Sequence, residues 1–131
     1  MRVEEVQQPG PKGASEIAAQ LRAALDRAFA LGGRPVHRLG AAGTSVTIEV
    51  GDDPAAAVTL LLDRQPPAVH PGDEAAEITI HLTPEQGVAF TQGELILPNE
   101  LMSGAVRASG PVRRYLGADP VLRALLARVR D

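Results

Sequence analysis

The apolar positions of this chain keep two rhythms. Ile17, Leu21, Leu25 and Phe29 recur every four residues, which predicts an amphipathic helix with Ser15 as its cap, Glu16 in its first turn and Gly32-Gly33 as its stop. From Ser45 the period drops to two: Val46, Ile48 and Val50 alternate with Ser45, Thr47 and Glu49, as in a half-buried strand. The turn Gly51-Asp52-Asp53-Pro54 and the apolar run Ala57 to Leu62 complete an antiparallel hairpin. Pro66 and Pro67 then break the chain, leaving Ala68 to His70 as a short edge strand.

The clearest strand runs from Ala76 to Leu82, with Ile78, Ile80 and Leu82 on one face and Glu77, Thr79 and His81 on the other. Thr83-Pro84-Glu85-Gln86 follows as a capping box, predicting a helix to about Gln92 that Gly93 stops. Pro98 starts a helical turn or two, Gly104 ends it, and Ala105 to Ser109 form a last strand. Pro120 to Arg130 place Val121, Leu122, Leu125, Leu126 and Val129 on one side and Arg123 and Arg130 on the other, predicting a closing amphipathic helix. This order reads as an α+β layer with a mostly antiparallel sheet.

Length and composition fit one domain. The 131 residues match a single core, with residues 1–13, which hold Pro9, Gly10, Pro11 and Gly13, as a flexible arm before a domain at 14–131. No apolar run approaches the roughly 20 residues that cross a bilayer. Glu4 and Glu5 stand where a signal peptide would be apolar, and cysteine is absent, so a cytoplasmic location is expected. The net charge of −3 argues against a nucleic-acid partner. Arg107, Arg113, Arg114, Arg123, Arg128 and Arg130 crowd the last quarter of the chain, either as a solvated helix face or as a transient contact for an anionic membrane surface. Phe29, Phe90 and Tyr115 are the only aromatic residues, so the interior is aliphatic.

Motifs for chemistry are missing. Ser103 and Ser109 lack the first glycine of a nucleophile elbow, and Gly40 to Ser45 have the glycines of a phosphate loop without its lysine. His37, His70 and His81 show no ligand spacing, and His81 falls on a polar strand face. The paired acids Glu4-Glu5 and Asp52-Asp53 lie in a tail and a turn. Neither catalysis, nor a metal, nor a cofactor is expected.

From Ala76 onward, over about 55 residues, and with an acidic loop before it, the order of features resembles the sterol carrier protein type 2 family. The residues that carry it are the acidic loop and strand Asp73-Glu74-Ala75-Ala76-Glu77-Ile78-Thr79-Ile80, the capping signal Thr83-Pro84-Glu85-Gln86, the step Gly93-Glu94-Leu95, the segment Pro98 to Gly104, the strand Ala105 to Ala108, and Ser109-Gly110. The resemblance implies a five-stranded sheet covered by helices, an apolar tunnel between them, and non-catalytic carriage of a lipid, sterol-like or other hydrophobic molecule. The lining positions it implies are Phe90, Leu97, Leu101, Met102, Leu122 and Leu126. The chain departs from the pattern at Ile96-Leu97, extra apolar residues before Pro98, and at Pro111 after the second glycine. The other reading is an interaction or accessory module with a filled core and no ligand, working as a homodimer through its last helix.

Overall fold

The structure, a computed structural model, describes residues 13–130; the expected arm at 1–13 falls, apart from Gly13, outside the described residues. Six helices and five strands are formed by the described residues. Helix α1 (Ala14–Ala30) and α2 (Gly33–Gly40) precede the hairpin β1 (Thr44–Val50) and β2 (Ala57–Leu62), followed by β3 (Ala68–Pro71) and β4 (Ile78–Leu82). Then come α3 (Pro84–Thr91), α4 (Leu97–Ser103), β5 (Arg107–Ser109), α5 (Arg113–Leu116) and α6 (Asp119–Val129).

The strands form one sheet in the order β3-β2-β1-β4-β5. Three of its ladders are antiparallel, and the β1–β4 pair at its centre is parallel. A parallel pair needs a crossover. Here the chain leaves edge strand β3 and re-enters beyond β1, so residues 72–77 cross one face of the sheet.

The alternation read in the sequence sets the other face. Val46 stands opposite Leu60 and Ile78, and Ile48 opposite Val58 and Ile80; all join one core with Leu21, Leu25, Phe90, Leu122 and Leu126 from the helices. Helix α1 lies against β1, β2 and β3 and packs on α3 and α6. Its buried stripe is Ile17, Leu21, Leu25 and Ala28, with Phe29 only partly buried. Four residues advance about 40° beyond a full turn, so a strict four-residue row drifts off the contact face.

Most expected boundaries hold within a few residues. The capping box at Thr83 is complete: its hydroxyl accepts from Gln86 N at 3.1 Å, and Gln86 Oε1 accepts from Thr83 N at 2.9 Å. Gln86 Nε2 also donates to Ala105 O at 2.8 Å, tying the cap to the loop after α4. The N-cap of α1 is Gly13 with no side-chain bond, so Ser15 lies inside the helix and not at its cap. Helices α2 and α5 had no forecast. The last strand is shorter than Ala105 to Ser109, because Val106 turns inward and its N–H bonds to Glu100 O.

Candidate functional site

The face under the helices gathers most of the positions implied as ligand lining. Phe90 comes from α3, Leu97 from the start of α4, and Leu122 and Leu126 from α6; all four are buried in the same aliphatic core. Leu101 packs partly buried against it. Met102 stands apart: it is 88% exposed and points away from the space between helices and sheet. The reason is geometric. In this short helix the inward face is occupied by Leu97 and Leu101, four residues apart, and Met102 is rotated about 100° from Leu101.

Helix α4 buries few side chains in this cover. Leu97 is its only buried residue, its N-cap Ile96 supplies no side-chain bond, and it ends on Gly104 in the left-handed conformation. Ile96 is 43% exposed, so two large apolar side chains of this segment face outward.

Beside Leu97 lies a polar group that pattern reading missed. Tyr115 and Asp119 are fully buried, and the Tyr115 hydroxyl donates to Asp119 Oδ1 at 3.0 Å. Arg123 Nε donates to Asp119 Oδ2 at 3.1 Å, and the Leu97 N–H reaches the same carboxylate. Burial pushes the Asp119 carboxyl above its ordinary value, against these hydrogen bonds, which favour the charged form. Burial, and then the neighbouring Asp119 charge, push the Tyr115 phenol well up. The spacing Tyr115, Asp119, Arg123 is i, i+4, i+8, a signal that the sequence does carry.

The opposite face of the sheet is buried by hydroxyl groups. Thr47 and Thr59 stand opposite each other on β1 and β2 and share a hydrogen bond of 2.8 Å. Thr59 Oγ1 donates to Gly72 O at 3.0 Å and accepts from Glu74 N at 3.2 Å, while Ser45 Oγ accepts from Glu77 N at 3.0 Å. The crossing segment thus finds its backbone partners on the sheet, where no water is needed to satisfy it.

Open clefts lie outside this interior. One, of about 360 Å³, runs between α2 and α6 and is lined by Pro35, Arg38, Pro120, Val121, Ala124, Leu125 and Arg128. A neighbour of about 300 Å³ shares Arg38 and Val121 with it and adds Arg114, so the two form one furrow with three arginines and no acidic lining. A further cleft of about 340 Å³ sits at the ends of β1 and β4, walled by Gly51, Asp52, His81, Leu82, Thr83, Pro84, Gln86, Ala105 and Arg107. There His81 is not an isolated solvent-facing residue: its Nδ1 lies 3.0 Å from Glu49 Oε1. No described helix is long and apolar enough to cross a membrane.

No protein-family model matches the sequence, and no curated protein is similar to it in sequence. Solved structures do match. The sterol carrier protein domain 2 of Helicoverpa armigera superimposes with a TM-score of 0.64 at 15% identity, over 93% of this chain and 99% of that one. The apo form of Sterol Carrier Protein 2 from Yarrowia lipolytica gives 0.60 at 15% identity, over 98% of each chain. A palmitated SCP2L2 from Aedes aegypti gives 0.51 at 16% identity, over 85% of this chain and 95% of that one. At such identity the likeness lies in the path of the backbone, and the described residues follow that path: the chain has the sterol carrier protein 2 fold.

Proposed function

We propose that this protein binds a hydrophobic small molecule, a lipid or sterol-like compound, between its sheet and helices and performs no reaction on it. The observation that carries this reading is the near-complete overlap with sterol carrier domains, one of them the palmitated SCP2L2. The interior supports it in kind. Phe90, Leu97, Leu122 and Leu126 present an apolar surface with non-directional contacts, which can re-form around a chain of variable shape.

Helix α4 is the entrance in this reading. Moving it away uncovers Leu97, part of Leu101 and the core surface beneath them, and breaks the Leu97 N–H bond to Asp119, a loss of roughly 5 kcal/mol. An acyl chain that hides about 300 Å² in the opened space contributes about 7 kcal/mol at about 25 cal/mol per Å². Opening is therefore affordable only with a ligand to fill the gap. The furrow between α2 and α6, with Arg38, Arg114 and Arg128, is where such a carrier would meet an anionic membrane surface from the cytoplasm.

A second reading draws on the packed interior: the clefts described above lie outside it, as a module with a filled core and a homodimeric α6 contact requires. Delipidated protein titrated with an environment-sensitive fatty acid separates the two. The carrier reading expects saturable uptake at one equivalent, which Leu101→Trp, on the inner side of α4, weakens about tenfold or more. Absence of saturable uptake, with a dimer in sedimentation, selects the second reading.

A further inference from the structure

We propose that Glu49, Asp52 and His81 form a binding site for one divalent transition-metal ion of the zinc class. The three residues come from separate parts of the fold. Glu49 on β1 and His81 on β4 stand opposite each other across the parallel pair, and Asp52 follows two residues after the end of β1. One ligand atom from each lies within 4.8 Å of the other two. Tetrahedral bonds of about 2.0–2.2 Å place ligand atoms roughly 3.3–3.5 Å apart, so small side-chain rotations complete the geometry.

The donors suit the ion. One imidazole nitrogen with two carboxylate oxygens matches zinc, nickel or copper, whereas magnesium demands oxygen ligands in an octahedron. The positions are also held. The side chains of Glu49 and His81 are 14% and 27% exposed on central strands, and Asp52 is the only non-glycine described residue with positive φ, at 55°. The adjoining cleft leaves room for a water or small molecule as a fourth ligand.

Two carboxylates converging beside one histidine carry more negative charge than a neutral imidazole balances. Arg107 supplies the nearest positive charge, its Nη2 lying 3.2 Å from Asp52 Oδ1. Both partners are largely exposed, at 71% and 76%, so this pair contributes little and a dication can replace it. Arg107 and the metal ion accordingly compete for Asp52. The same chain carries a built-in comparison in His70 and Glu74, an exposed pair at 3.2 Å with no third ligand described.

Zinc chloride titrated calorimetrically into the full chain near neutral pH, with magnesium chloride in parallel, tests the site. Zinc is expected to bind saturably at one equivalent with Kd below about 100 µM, and magnesium not at all in the millimolar range. His81→Ala should weaken zinc at least about tenfold, and Asp52→Asn, in an exposed turn that tolerates it, several-fold. Arg107→Ala should tighten it, and His70→Ala should leave it unchanged. Amide resonances of residues 49–52 and 81–83 should shift with the bound ion. Zinc that fails to saturate below about 1 mM overturns the proposal. So does binding that survives both His81→Ala and Asp52→Asn, or that is lost with His70→Ala.

Discussion

The two faces of the sheet are covered by different forces, the reverse face over β1 and β2 only. Under the helices, Val46, Ile48, Val58, Leu60, Ile78 and Ile80 meet apolar side chains through non-directional contacts, with the Tyr115–Asp119–Arg123 group as the polar exception. On the reverse, Ser45, Thr47 and Thr59 hold the crossing segment through named donors and acceptors at fixed distances. Apolar contacts tolerate rearrangement as long as volume is conserved, whereas a buried donor that loses its acceptor is penalised at once. The contrast assigns the faces different roles. The reverse face pins the crossing segment to the strands, and under the proposed function the helical face is the one that opens and refills.

This division can be broken from either side, with effects that decline in order. Leu122→Ala, which empties space at the centre of the helical face, should cost about 3 kcal/mol in urea unfolding. Thr59→Val keeps the shape but leaves Gly72 O and Glu74 N without their partner, and should cost about 2 kcal/mol. Hydrogen exchange at the Glu74 amide should speed up in that variant while amides of α6 keep their protection. Thr83→Ala removes the cap of α3 and should cost about 1 kcal/mol, read from the thermal midpoint.

The pH response of Asp119 should be gentler. Its folded carboxyl titrates above its reference value of 3.8, so the native state holds a proton that the unfolded chain has released. Its contribution is complete below that value and is lost as pH rises through the raised one. Stability should therefore fall across that window in the wild type, and this component should vanish in Asp119→Asn; an unchanged slope would show that another group is responsible. Met102→Ser, at an exposed position, should stay within about 0.5 kcal/mol of the wild type.

Strand and helix periods made much of this architecture legible. Val46-Ile48-Val50 and Ile78-Ile80-Leu82 face the core as their alternation requires, and Thr83-Pro84-Glu85-Gln86 opens α3 as a capping box should. What the pattern missed has physical causes. Helix α2, Gly33–Gly40, carries a proline and two terminal glycines, and tertiary contact with α6 and β2 outweighs its poor propensity. The threonines of β1 and β2 read as a solvent face because nothing local shows that residues 72–77 will cross it. Met102 is a lining position by the resemblance, and its side chain's direction depends on how α4 is set down. The Tyr115–Asp119–Arg123 group and the meeting of Glu49, Asp52 and His81 arise from helix spacing and from strand pairing respectively, of which only the first is visible in one dimension.

The claim that the helical face opens to take a ligand is tested most directly by hydrogen exchange with and without a bound fatty acid, on delipidated protein. The account predicts that saturating fatty acid changes protection in α4 and at Leu122 and Leu126 of α6, while the Ser45, Thr47 and Thr59 region and the Glu74 and Glu77 amides keep theirs. A fatty acid that leaves α4 and α6 unchanged, or that alters the reverse face instead, would contradict it.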